Sequence, residues 1–278
     1  MKTMKQKRKL GGFIKILILS FVAVIILLPV LWMFFSSFRA AKEIISWPPK
    51  FLPQEWVFDN YRKVFKRAPM MTYIKNSAIF AVSTTCLSCM VNSFAGYAFA
   101  RLHFRGKNVL FTMCLMTMMI PFQVTMIPLF TMINKMGIYD TWAGLILPRM
   151  ASVMGIFMMR AFFVGLPLEL EEAGRIDGLT DYGIFAGIML PLAKPALVTQ
   201  IVLGLNGAWN DLLYPLLMTS NVRMRMLSNG VALFVGQDTT DYGPAFAAGV
   251  VSMLPMLLLY LFGQRYFVEG TATSGLKG

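Results

Sequence analysis

The sequence predicts an all-α membrane protein with six transmembrane helices. Three observations carry this. Of 278 residues, 57% are hydrophobic and only 14% are charged, whereas a soluble domain is nearer half apolar and a quarter charged. The mean hydropathy is +0.63. The apolar residues also fall in six runs, each long enough to cross a ~30 Å hydrocarbon core, which takes about 20 helical residues.

The runs are Phe13–Phe35, Ser77–Phe99, Val109–Phe130, Trp142–Phe163, Ala196–Met218 and Ala245–Gly263. A backbone in lipid must satisfy its own polar groups, and alternating ten-residue strands are absent, so helices are expected. The first run follows the basic stretch MKTMKQKRKL, as a signal peptide would. Its length of about 23 residues exceeds the 7–15 of a signal h-region, which argues for a retained helix. Pro29, Pro121, Pro128, Pro148, Pro215 and Pro255 interrupt the runs. Each removes a backbone donor and favours a kink.

Six spans place both termini on one side. Lys2, Lys5, Lys7, Arg8 and Lys9 in the tail and Arg101, Arg105 and Lys107 in the short second loop argue that this side is the cytoplasm. The first loop opposes this with seven basic residues from Arg39 to Arg67, but longer loops cross membranes more freely. The expected organisation is a cytoplasmic tail over 1–12, one transmembrane domain over 13–266 and a cytoplasmic tail over 267–278. An external loop spans 36–76, with Asn60–Phe65 as a short surface helix and room for an external partner.

The net charge of +13 would suggest nucleic acid in a soluble protein. Here the basic residues sit at the ends of apolar runs, where they anchor helices in lipid, and no nucleic-acid partner is expected. Cys86 and Cys89 have C-x-x-C spacing, but no second pair exists and the single histidine, His103, lies beyond that run. They read as small apolar positions on a helix, and no metal site or disulfide is expected.

The connection over 164–195 is the most informative stretch. About 30 residues is long for a link between adjacent helices. Pro167 suits a first helical position, and Glu169, Glu171 and Glu172 follow where acids favour the helix dipole. Leu170, Ala173 and Ile176 form an apolar stripe. Gly178 can end this helix in a left-handed conformation, and Thr180 can cap a second one carrying Ile184 and Ile188. Pro191 and Pro195 are expected to stop that helix and start the next span. A helix lying on lipid should be rich in Lys and Arg. This segment is acidic, so a protein partner is the better match.

The segment resembles the EAA motif of binding-protein-dependent ABC importers, with Glu172-Ala173-Gly174, then Gly178, then Ile188, Leu190 and Pro191 at matching spacings. Gly174 replaces the third-position alanine. Ala95–Arg101, Phe104–Lys107, Ile120-Pro121, Trp209-Asn210-Asp211 and Gly270–Gly278 are similar to the carbohydrate-uptake branch, the MalG-like permeases. The resemblance implies a type I ABC importer permease fold. It implies a second, MalF-like permease chain, two ATPase subunits that bind ATP and Mg, and an extracellular or periplasmic solute-binding protein that delivers a sugar. It implies further that Glu171, Glu172, Ala173, Gly174, Arg175, Ile176, Asp177 and Gly178 couple to an ATPase and that none is catalytic. No G-x-x-x-x-G-K-[ST] loop is present, so no ATP or other cofactor is expected on this chain.

Intramembrane polar groups are often functional. Arg149 and Arg160 read as anchors. Asn206, Asn210, Asp211 and Tyr214 are spaced to form one polar stripe on a helix, with Trp209 beside it. Two readings stand for this stripe, a wall of the sugar path or hydrogen bonding between helices. An ion-driven carrier would need an acidic relay and related halves, and an intramembrane enzyme would need a nucleophile or metal set. The sequence offers neither.

Overall fold

The computed structural model describes the backbone of residues 2–235 and 241–274, and the side chains of residues 12, 14–235 and 241–261. Every regular element among them is helical. In order these are α1 (Lys2–Ser36), α2 (Ala41–Ile44), α3 (Asp59–Arg67), α4 (Met70–Arg101), α5 (Lys107–Thr117), α6 (Phe122–Lys135), α7 (Trp142–Ile146), α8 (Val153–Val164) and α9 (Glu169–Ile176). There follow α10 (Asp181–Ile184), α11 (Leu190–Leu192), α12 (Lys194–Asn210), α13 (Leu213–Met218), α14 (Leu227–Ala232) and α15 (Tyr242–Ser274). A π turn over Phe185–Met189 joins α10 to α11.

Three helices are long and apolar enough to span a membrane unbroken: Ile14–Ser36, Met70–Arg101 and Tyr242–Leu261. Three bent pairs supply the rest. They are α5 with α6 at 102°, Trp142–Arg149 with α8 at 41°, and Asp181–Leu192 with α12 at 75°. Counting each pair as one span gives six.

Several boundaries differ from the sequence reading. Val109–Phe130 is not one straight helix. It breaks between Met118 and Pro121, where Pro121 lacks an N–H and restricts the residue before it. Ala196–Met218 also breaks, at Asp211, whose backbone is extended. The second span starts at Met70 rather than Ser77, so the preceding loop is shorter. Its added turns are held by Asn76, whose amide donates to the Arg223 and Arg225 carbonyls at 2.7 and 2.9 Å. Both expected tails are largely helical, as extensions of α1 and α15; residues 275–278 lie outside the described residues.

The chain divides into two compact units. The first combines the segment up to Pro69 with Val231–Leu254. In it, rings of Trp32, Phe35, Phe38, Phe51, Trp56 and Tyr61 meet with centroids between 5.2 and 6.4 Å apart. The expected surface helix is present as α3. Its Asn60 amide donates to the Ser37 and Arg39 carbonyls at 2.9 and 2.8 Å.

The second unit combines Met70–Gly230 with the segment from Pro255 onward. In it α4 runs against α8 and α12. Gly96 permits a close approach: a Cβ there would lie 2.5 Å from the Met159 Cβ and 2.9 Å from the Arg160 amide nitrogen. Small residues allow such contact where apolar burial gives membrane helices little driving force. Below this crossing, Tyr97, Met159 and Phe163 meet Ile184, Phe185 and Met189 in one buried cluster, which fixes the connection between α8 and α12 to the bundle.

Candidate functional site

The stretch between α8 and α12 is a folded unit rather than a loose loop. Helix α9 starts at Glu169, so Pro167 lies before the helix and not at its first position. Its end is closed by a Schellman arrangement. The Leu179 amide donates to the Gly174 carbonyl at 2.9 Å and the Gly178 amide donates to the Arg175 carbonyl at 3.0 Å. This requires a left-handed residue at Gly178, where φ is +79°. Thr180 caps α10 by accepting the Gly183 amide at 3.2 Å. Arg175 pairs with Asp181 across the turn at 2.7 Å. The second helix runs through Pro191 to Leu192, so Pro191 does not stop it; the break falls at Ala193, with Pro195 in the first turn of α12.

The orientation of α9 is set by two inward positions. Glu171 lies 3.0 Å from the Arg101 guanidinium, with side chains only 10% and 6% exposed. Arg101 also donates to the Phe163 and Leu166 carbonyls at 2.6 and 2.5 Å, at and just beyond the end of α8, where the Phe163 carbonyl also accepts the Leu166 amide at 3.2 Å. One arginine therefore joins α4, α8 and α9. In the sequence Arg101 reads as an orientation signal and as the end of the Ala95–Arg101 resemblance, not as a partner of Glu171.

Gly174 is the second inward position. A Cβ there would lie 2.9 Å from the Ile188 methyl and 3.1 Å from Ile184. The departure from the motif's alanine thus brings α9 close onto the following helix. Gly174→Ala is expected to change thermal stability by no more than about 1 kcal/mol, since better helix propensity offsets a contact that a flexible Ile188 end can relieve. Gly174→Leu should lower it by about 1–3 kcal/mol by wedging the helices apart. Melting of the two variants in detergent checks this ordering.

With Glu171 and Gly174 turned inward, Glu172, Ala173, Arg175, Ile176, Asp177 and Gly178 are exposed. The stripe Leu170, Ala173, Ile176 is not buried on the bundle. Leu170 is half-buried, Ala173 is exposed and Ile176 is 86% exposed. Leu168, Leu179 and Tyr182 are further exposed apolar side chains of this stretch.

The residue range 92–272, which includes α9 and its neighbours, matches the family described as "Binding-protein-dependent transport system inner membrane component". The chain belongs to this family. The permease is 36% identical to the arabinooligosaccharides transport system permease protein AraQ of Halalkalibacterium halodurans, over 93% of this chain and 94% of that one. It is 33% identical to the diacetylchitobiose uptake system permease protein NgcG of Streptomyces coelicolor, over 91% and 84% of the two chains. Its fold matches a chain of a bacterial ABC transporter that imports the acidic polysaccharide alginate, with a TM-score of 0.79, 23% identity, and 93% and 97% of the chains covered.

The second predicted site comes apart in the permease. Asn206, Asn210, Asp211 and Tyr214 do not form one stripe, because α12 ends at Asn210. Asn206 and Asn210 are exposed and bond to each other at 2.8 Å. Trp209 is buried. Tyr214 is fully buried and donates to the Gly144 and Leu145 carbonyls at 2.7 and 3.2 Å. Asp211 accepts the Tyr214 amide at 3.2 Å and pairs with Arg149. The Arg149 guanidinium also lies 4.4 Å from the Tyr214 ring centre. Arg149 is thus half of a structural ion pair rather than an anchor. Arg160 keeps a structural role, donating to the Phe99 carbonyl at 3.1 Å and lying over Phe111 at 4.2 Å. Cys86, Cys89 and Cys114 are free thiols.

Proposed function

We propose that the permease carries a neutral sugar or oligosaccharide inward, powered by two ATPase subunits that dock on α9. The observation that carries this reading is the exposure of Ala173, Ile176 and Leu179 on and just after a helix whose other face is fixed by Glu171 and Gly174. A fixed helix with an exposed apolar edge can pass a push from a partner into α4 and α8 through Arg101. The acidic flank of Glu169, Glu172 and Asp177 calls for a basic or mixed cleft on that partner. The sugar reading rests on the relatives named for arabinooligosaccharide and diacetylchitobiose transport. In this reading the ATPases hold ATP and Mg, a second permease completes the channel, and an external solute-binding protein delivers the sugar. Both termini and α9 then face the cytoplasm.

Ile176→Asp tests the docking face. The side chain is exposed in the isolated chain, so folding should be little changed. We expect loss of ATPase copurification, or at least a tenfold fall in sugar-stimulated ATP turnover in proteoliposomes. Glu172→Lys should act in the same direction, and Gly178→Pro more strongly, because proline cannot adopt a φ of +79°. Wild-type coupling in all three would exclude α9 as the docking element.

A further inference from the structure

With the Asn206–Tyr214 stripe dissolved, a groove of the second unit that keeps only Asp211 from it offers polar groups to a ligand. Two adjoining cavities, of about 300 and 160 Å³, lie between α4, α8 and α12. They share Thr85, Ser88, Ser152, Leu203 and Gly204. The larger reaches Phe80, Arg149 and Asp211, and the smaller reaches Asn92 and Gln200. On α4 the groove follows positions 80, 84, 85, 88 and 92, one face of the helix. At 1.5 Å per residue this face is about 18 Å long, more than half of a ~30 Å hydrocarbon core.

The polar groups along it are not equally occupied. Thr84 donates to the Phe80 carbonyl at 2.6 Å. Asn92 donates to Ser88 and accepts the Ser152 amide, both at 2.9 Å. The Thr85 hydroxyl and both amide atoms of Gln200 have no hydrogen-bond partner in this chain. Yet Thr85 is 4% and Gln200 6% exposed. Buried polar groups are ordinarily satisfied, and leaving them open costs free energy that leucine and valine at these positions would avoid. The pocket is also shaped around them. A Cβ on Gly155 would collide with the Asn92 and Gln200 amides, and one on Gly204 would lie 3.0 Å from the Thr85 hydroxyl.

We infer that this groove is the permease's wall of the sugar path, with Gln200 and Thr85 hydrogen-bonding the hydroxyls of a neutral saccharide. The inference rests on the sugar-import reading above. A carboxamide offers two donors and an acceptor and a threonine hydroxyl can do both, which suits hydroxyls that also do both. The single acid in the groove, Asp211, is paired with Arg149, so the wall offers no free charge to attract an ion. Length also favours a path over a static contact between subunits, since a polar side chain from a partner would satisfy one point and not a face of this extent.

The test uses the whole transporter in proteoliposomes, with arabino-oligosaccharides and diacetylchitobiose as probes and Gln200→Leu and Thr85→Val as near-isosteric variants. Retained assembly, unchanged or raised melting temperature, and at least a tenfold loss of uptake are expected. A structural role for the two side chains predicts no such combination. Equal uptake by wild type and both variants would overturn the groove while leaving the import reading standing. Loss of the second permease from the purified complex would also overturn it, assigning these groups to a subunit contact. If wild type itself takes up neither saccharide, the sugar reading falls and the groove's assigned ligand with it. A cysteine at Ser88, in a chain with Cys86, Cys89 and Cys114 replaced by serine, gives an independent measure. Its labelling by a water-soluble thiol reagent should be slowed at least threefold by the transported probe, and unchanged labelling counts against the groove.

Discussion

Replacing Arg101 with alanine is expected to destabilise the permease by about 3–5 kcal/mol, the usual cost of removing one member of a buried ion pair. Three groups lose the guanidinium at once. The Glu171 carboxylate, 3.0 Å from the guanidinium, is left as an uncompensated charge, and the Phe163 and Leu166 carbonyls lose a charged donor. Glu171→Ala should cost less, because Arg101 keeps both carbonyls. This asymmetry separates a capping arginine from a simple ion pair. In a double-mutant cycle, Arg101→Met with Glu171→Leu should recover part of the loss, since no buried carboxylate remains. Thermal melting and denaturant titration of the purified complex measure all three. Where a variant still assembles, α9 is no longer held to the ends of α4 and α8. ATP turnover should then persist while its stimulation by sugar falls. Equal destabilisation by Arg101→Ala and Glu171→Ala would show that the carbonyl contacts contribute little.

Asp211→Ala is expected to cost about 2.5–3.5 kcal/mol, comparable to placing one unpaired charge in a membrane helix. Asp211 is 17% exposed and its partner Arg149 is 39% exposed, which keeps the effect below that of a fully enclosed pair. One further side-chain role adds to the charge. The Asp211 side chain accepts the Tyr214 amide at 3.2 Å, holding the start of α13. Its backbone carbonyl, which the substitution retains, accepts the Ser228 hydroxyl at 2.7 Å. Asp211→Asn preserves the capping acceptor but not the charge, so it should fall between wild type and alanine. The double variant Arg149→Met with Asp211→Asn should be more stable than Asp211→Asn alone. The check is melting temperature combined with yield of folded complex. An unchanged melting temperature in Asp211→Ala would mean that Arg149 is held by the Tyr214 and Phe122 rings and not by the acid.

Two features were legible in sequence because each is local. The turn after α9 needs only Gly178 and Thr180 in a fixed relation to the helix before them, and the structure realises both. The spans follow from runs of apolar residues. The breaks inside them were not legible. The polar residues Asn206, Asn210 and Asp211 keep helical spacing across the break at Asp211, so periodicity does not mark where the helix ends. The polar stripe inferred from an unbroken helix consequently became an exposed asparagine pair, an ion pair and a buried tyrosine. The groove residues were missed for a related reason: threonine and serine on α4 are common in membrane helices, and only the packing of α4 against α8 and α12 brings them into cavities with Ser152 and Gln200.

By itself the sequence determined that this chain crosses a membrane several times and presents a glycine-terminated acidic helix between two spans. Hydropathy and turn chemistry act within a few residues, so order along the chain is enough to read them. Which face of that helix points outward was decided only in the tertiary structure. Arg101 is distant from Glu171 in sequence, and Gly174 matters because Ile188 packs over it. Likewise Arg149 and Asp211 become partners only when the 3-10 turn after α7 and the end of α12 are brought together. Such pairings depend on close approach between helices, which no local pattern encodes.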